Sequence, residues 1–286
     1  MSIIDHIRAL EALRPGRTLA LSASHLDIDL LPPLYETLRT LGRVERLDVV
    51  VQCRGGEVNA ARRIALLLHE FADRLTFVVP HACESAGTVM ALAAHEIVAG
   101  PMAIFSPIDP HLSAEGGGTG PSAMSAEDIR QCWRMVRDWF GLEEPEARAK
   151  ALHLLSENIF PTTLTSFHRS TRELERIGEE LLSLHMGDRP HEARAEIVAA
   201  LLYGFDSHTY ALTADELRRI GLPVVRDARL DAPAWEAARE LRRLAGPESR
   251  AREEDDWHDA VIATTEAAQR RLRRMDAPAG TWERVP

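Results

Sequence analysis

Residues 46–105 read RLDVVVQCRGGEVNAARRIALLLHEFADRLTFVVPHACESAGTVMALAAHEIVAGPMAIF, and this stretch decides the fold. RLDVVVQC (Arg46 to Cys53) is β-branched and stops at Gly55-Gly56, the pattern of a buried strand feeding a tight turn. NAARRIALLLHEFAD then carries Ile64, Leu67, Leu68 and Phe71 at helical spacing, so one face of a helix is apolar. LTFVVP is a second short apolar strand, and its turn HACE leads into SAGTVMALAA, a small-residue helix. EIVAG and MAIF are two further buried strands. Strands that alternate with helices imply βαβ units, a mainly parallel sheet and right-handed crossovers, hence an α/β fold.

Working outward, TLALSA (Thr18 to Ala23) reads as a strand and PPLYETLRTLG as a helix. Beyond Asp109-Pro110, the stretch SAEGGGTGPSAMSAED reads as a loop, and almost uninterrupted helical sequence follows from about residue 128 to 202. GFDSHTYALTADELRRIGLPV returns to strand-turn-helix text. There Thr213 is a suitable N-cap, Glu216 completes a capping box and Gly221 supplies the stop. WEAARELRRLAG and WHDAVIATTEAAQRRLRRM are both amphipathic at helical spacing. The expected organisation is one α/β domain over residues 1–225, including a helical insertion at 126–203, and a helical C-terminal extension over 226–286.

Bulk properties exclude several classes. With 44 acidic against 34 basic side chains and a formal charge of −10, nucleic acid is not the expected partner. Cys53, Cys83 and Cys132 show no metal-ligand spacing, and an odd count gives no disulfide framework, which points to a reducing compartment. The N-terminal text lacks a signal-peptide pattern and no apolar run is long enough to span a bilayer, so the expectation is a cytoplasmic protein without metal, cofactor or transmembrane segment.

Two strand ends carry the residues of chemical interest. Gly55-Gly56 permits positive φ and close approach, so backbone N–H groups there could face a substrate oxygen, although taken alone a glycine pair is better read as a plain turn. Ser85 sits on the next strand-to-helix turn, where a hydroxyl is exposed at a sheet edge and the N–H of Ala86 can serve an oxyanion. Serine is also a common N-cap with no catalytic duty. The two strand ends together say more than either alone.

LDVVVQCRGGEVNAARRIALLL, VVPHACESAGTVMALAAHEIVAGPMAIFSPIDPHL and LLYGFDSHTYALTADELRRIGLPV resemble the serine dehydrogenase proteinase family, related to signal peptide peptidase A and the proteolytic subunit of Clp protease. The resemblance spans roughly residues 24–224 and is densest over 48–112. It implies a crotonase-like spiral of βαβ units, a serine peptidase acting on peptides or proteins, and a homo-oligomer. By position it gives Ser85 the nucleophile's place, with Gly55 or Gly56 and Ala86 as the oxyanion hole. The match departs at Cys53-Arg54, where relatives carry Thr-Pro or Ser-Pro, and at Glu84, where methionine is common.

The base that activates the serine is open between several residues. His208 precedes the strand-helix unit that resembles the region of the third triad residue, and imidazole has a suitable intrinsic pKa. Lys150, the sole lysine, would suit a Ser–Lys dyad, but Glu146 one turn earlier and nearby arginines describe a solvated helix face. Asp109 and His111 lie where the Clp subunit's histidine would fall, and Asp109 could orient His208. The expected set is Ser85 with His208, Asp109 assisting and Lys150 as the alternative base. A catalytically silent peptide-binding scaffold is the second reading, and an acyl-CoA enzyme of the wider superfold is the third.

Overall fold

The computed structural model describes residues 1–113, 123–250, 252, 255–274 and 280–285. Helix α1 (Ile3–Leu13) opens with a Ser2–Asp5 capping box and buries Ile3, Ile7 and Leu10, one stripe at i, i+4 and i+7. Strand β1 (Arg17–Ala23) follows. Helix α2 (Leu31–Leu41) carries its prolines in the first turn, where no N–H is required, and buries Leu34 and Leu38. Then come β2 (Val44–Cys53), α3 (Val58–Glu70) and β3 (Ala72–Val79). The short elements β4 (Ala82–Cys83), α4 (Ala86–Ala91), β5 (Glu96–Ala99) and β6 (Ile104–Phe105) complete the stretch that decided the fold.

β1, β2, β3 and β5 pair in that order and all in parallel, with Leu19 beside Val49, Val49 beside Phe77 and Val78 beside Val98. Both faces are covered, so every position of these strands can be apolar. Val49 and Val51 face a core shared with α2, α3 and α4; Val50, between them, faces α1 on the other side. The end of β2 leaves β3 and pairs with β4 instead, Cys53 beside Cys83, and β4 pairs with β6. This splaying puts the Gly55-Gly56 turn and Ser85 at one edge.

Beyond β6, β7 (His111–Ser113) and β8 (Ala123–Ser125) form a separate antiparallel pair. Most of the glycine-rich stretch falls in residues 114–122, outside the described residues. Helices α5 (Ala126–Phe140), α6 (Pro145–Asn158), α7 (Pro161–Ser183) and α8 (His191–Tyr203) make up the expected helical insertion. α7 and α8 pack on the α3 side of the sheet through Leu174, Ile177, Leu181, Val198 and Leu201. α9 (Ala214–Ile220) has the Thr213–Glu216 capping box and left-handed Gly221 read from the sequence, and leads into β9 (Val224–Val225), parallel to β5.

The C-terminal part differs from expectation. α10 (Ala228–Leu244) is helical and packs beside α1 through Leu230, Ala234, Ala237 and Leu241. The segment read as a further helix is instead β10 (Trp257–Ala263) and β11 (Ala268–Arg273), joined by β12 (Thr281–Arg284). β10 pairs antiparallel with β1, so these strands extend the main sheet, whose order is β12-β11-β10-β1-β2-β3-β5-β9. The physical reason is an ion cluster. Arg271, 1% exposed, donates to both carboxylate oxygens of Asp259 at 2.8 Å and to Asp27 at 2.7 Å, and Arg273 bonds the same two carboxylates. Helical periodicity read this segment as an amphipathic helix, whereas partners distant in sequence make β11 an interior strand.

Candidate active site

The site begins with backbone strain. Ser85 has φ 52° and ψ −118°, and among the described residues it is the non-glycine residue with positive φ. Such a conformation costs on the order of 1–3 kcal/mol and persists only where the surroundings hold it. They do so on two sides. The Ser85 N–H donates to Ser106 Oγ at 2.7 Å, and Ser106 in turn donates its N–H to Thr88 Oγ1 at 3.2 Å. The Thr88 hydroxyl closes the circuit on the Cys83 carbonyl at 2.9 Å. Both hydroxyl residues are buried. On the other side α4 lies tightly on the ends of β2 and β4: a Cβ on Gly87 would come within 2.4 Å of Cys53 Sγ. The small residues after Ser85 are therefore a packing requirement.

Gly55 and Gly56 face this turn. A Cβ on Gly55 would lie 2.9 Å from Ser85 Cβ and 3.2 Å from its Oγ, so the glycine backbone is the wall beside the hydroxyl. Leu26 bonds on either side of Gly56, its N–H donating to Gly55 O at 2.8 Å and its carbonyl accepting from Glu57 N at 2.7 Å. In such a parallel bridge the central residue turns its own N–H away from the partner strand. Gly56, Ser85 and Asp109 line one cavity of about 310 Å³, together with His25, Glu57, Ser170 and Glu173.

Three segments are laced side by side at this edge. Cys83 pairs with Phe105, and Phe105 forms an antiparallel bridge with Leu212. Ser85 lies two residues beyond Cys83, Asp109 four beyond Phe105, and His208 four before Leu212. Because the last segment runs antiparallel, all three residues project past the same side of the row. Asp109 and His208, 99 residues apart in sequence, meet through Oδ1 and Nδ1 at 2.5 Å, with the carboxylate buried and the imidazole partly exposed. A carboxylate accepting Nδ1–H sets the tautomer of the neutral ring with its lone pair on Nε2. Among the described residues no hydrogen bond is formed by Ser85 Oγ.

The other expected residues lie elsewhere. Lys150 is exposed on α6, a helix with no buried residue. His111 is in β7, opposite Ser125. His95 is occupied at Nδ1 by the Leu75 N–H, and His81 faces Arg242. Glu84 is half-buried and Arg54 exposed. Ser106 and Thr88, which hold the Ser85 turn, were not singled out in the sequence; isolated hydroxyl residues at strand and helix positions carry no periodic signal. Among the described residues no side-chain cluster could hold a metal, and no helix is long and apolar enough to cross a membrane.

Fold and edge together define a mixed α/β protein with a mainly parallel central sheet and a strained serine at a strand-to-helix corner. Residues 25–127 match the family described as ClpP-like SDH-type serine proteinase, so the resemblance read in the sequence holds. Two uncharacterised proteins of Methanocaldococcus jannaschii are similar: one is 28% identical over 178 residues, covering 62% of this chain and 51% of the relative. The other is 24% identical over 191 residues, covering 67% and 57%. This chain thus spans about half the length of the curated relatives it matches. Among solved structures, two mutant forms of a membrane-bound stomatin-specific protease are similar at a TM-score of 0.40. One is 16% identical, covering 70% of this chain and 73% of that one; the other, solved with a substrate peptide, is 14% identical over 70% and 69%.

Proposed function

We propose that this chain is a serine peptidase in which Ser85 is the nucleophile, His208 the general base and Asp109 the residue that orients it. Ser85 Oγ attacks the scissile carbonyl carbon while its proton passes to His208 Nε2. The carbonyl oxygen becomes an oxyanion held by the N–H groups of Ala86 and of Gly56 or Gly55. Collapse breaks the C–N bond, His208 returns the proton to the leaving amine, and water attacking the acyl-enzyme by the same route restores Ser85. The observation that carries this reading is the strained Ser85 turn on the same edge as the Asp109–His208 pair. Lys150, exposed on its helix, lacks the desolvation that a Ser–Lys dyad needs.

Substrates on this reading are peptides or unfolded protein segments, and a homo-oligomer is part of the proposal. One observation favours the non-enzymatic scaffold: Ser85 Oγ has no hydrogen-bonded base among the described residues. Labelling with a fluorophosphonate probe separates the two. The peptidase reading expects modification of wild type at Ser85, none in Ser85→Ala, and a loss of at least about a hundredfold in rate for His208→Ala. Labelling that persists in Ser85→Ala ends the nucleophile assignment. Peptide binding without any labelling supports the scaffold.

A further inference from the structure

A second cavity, of about 300 Å³, opens on the other face of the sheet, between the carboxyl ends of β1 and β2, the start of β4 and the last turn of α10. Small-molecule sites in parallel sheets favour this position, and the volume is at the lower end of the usual range. Its floor is polar. Ser22 and Gln52 are register partners on β1 and β2, on the same face as Ala20 and Val50. Ser22 is only 5% exposed, and no hydrogen bond reaches its hydroxyl among the described residues. Gln52 Oε1 is shut off from solvent and likewise has no partner. A buried acceptor without a donor is destabilising, so this floor is built at the expense of stability.

The rim is cationic. Arg54 and Arg242 both line the cavity, and among the described residues neither pairs with a carboxylate, in a chain whose acids outnumber its bases 44 to 34. Arg242 is held by Trp235, with its guanidinium 4.9 Å from the ring centroid, and by His81 Nδ1 at 3.4 Å. Burial and the two guanidinium groups depress the His81 pKa, keeping the imidazole neutral at pH 7. Glu248 supplies the single acidic group of the lining. Two arginines against one glutamate leave one net positive charge.

From this lining we infer that the cavity binds a carboxylate with a neighbouring amide N–H, the chemistry of a peptide's C-terminal residue or of a free N-acyl amino acid. Arg54 and Arg242 take the carboxylate, with the Ser22 hydroxyl as a further donor, and the Gln52 terminal amide turns toward the cavity so that its unpartnered Oε1 accepts the N–H. A monoanion balances the lining; a phosphate dianion would overshoot it and meet Glu248. The cavity borders the Cys53–Gly56 corner but contains none of the residues assigned to peptide hydrolysis, so it stands without the Ser85 reading.

Calorimetry on the full chain carrying Ser85→Ala, which removes turnover, tests the site. N-acetylglycine and an N-acetylated tetrapeptide with a free C-terminus are expected to bind saturably, and their C-terminal amides at least about tenfold more weakly. Arg54→Gln and Arg242→Gln should each weaken the acids about tenfold and leave the amides unchanged. A tetrapeptide at least tenfold tighter than N-acetylglycine identifies a chain terminus as the ligand; equal affinities identify the small carboxylate. Absence of saturable binding, amides as tight as acids, inorganic phosphate as tight as the carboxylates, or folded arginine variants that bind like the parent each overturn the inference. The acid–amide comparison needs no arginine variant, so misfolding of those variants does not protect it.

Discussion

Ser106 is where the sequence reading of the site is thinnest and the geometry firmest. Its hydroxyl oxygen is the partner of the Ser85 N–H, so it helps to fix the strained turn. On the proposed peptidase reading, Ser106→Ala should slow fluorophosphonate labelling of Ser85 by roughly ten- to a hundredfold, since small misplacements of a nucleophile cost that much. Ser106→Thr, which keeps the acceptor, should restore most of the rate. A purely structural role would instead lower the melting temperature in step with the labelling rate and give no selective rescue. Ser85 itself was legible, because the apolar strand before it and the small-residue helix after it mark a strand-to-helix corner within a few residues of sequence. The Asp109–His208 contact was legible only as a candidate pair. Spacing along a chain holds no information on which loops the sheet will bring together, and here the Phe105–Leu212 bridge does so.

At the scale of elements, the end of α4 depends on imidazoles. His69 Nε2 donates to Ala93 O at 2.7 Å and His185 Nε2 to Leu92 O at 2.9 Å, just beyond α4, while His95 lies between the two rings at centroid distances of 5.3 and 5.8 Å. Burial, opposed by the Leu92 hydrogen bond and aided by His95, His69 and Arg189, lowers the His185 pKa to about 4. His95 is lowered as well, chiefly by burial. The folded state therefore binds fewer protons than the unfolded chain between pH 6.5 and 4. The stability is whole above that window and is lost as pH falls through it. For His185 alone the loss is about 2 kcal/mol at pH 5. Urea midpoints of wild type should fall between pH 7 and 5, and those of His185→Gln, which keeps a donor for Leu92 O but does not titrate, should fall less. Equal declines would show that His185 is not the group responsible.

Across the whole molecule the C-terminal strands are what sequence periodicity misjudged. Val261 and Ile262 sit in β10 at the core, and Arg271 ties β11 to Asp259 and to Asp27, which precedes α2. Removing one member of a buried ion cluster strands the others, so Arg271→Ala should cost about 3–5 kcal/mol. Arg273→Ala, at a partly exposed site, should cost no more than about 1 kcal/mol. Chemical denaturation of both variants checks the contrast, and similar losses would mean that burial does not set the strength of this cluster. The cost also bears on domain organisation. Because β10 pairs with β1 beside β2, truncation of residues 257–286 would expose an edge in the middle of the sheet, unlike removal of an appended helix.

The sequence by itself determined the βαβ alternation from Arg46 to Phe105, the parallel sheet, the capped α9 and the Ser85 corner, because apolar period, turn residues and caps act over a few residues and leave local marks. Tertiary structure alone decided that residues 257–273 are strands, that Asp109 meets His208, that Ser106 and Thr88 brace the Ser85 turn, and that Ser22, Gln52, Arg54 and Arg242 share a cavity. Each of those depends on partners far apart in the chain. Their energies come from burial and hydrogen bonds that exist only once the sheet has assembled.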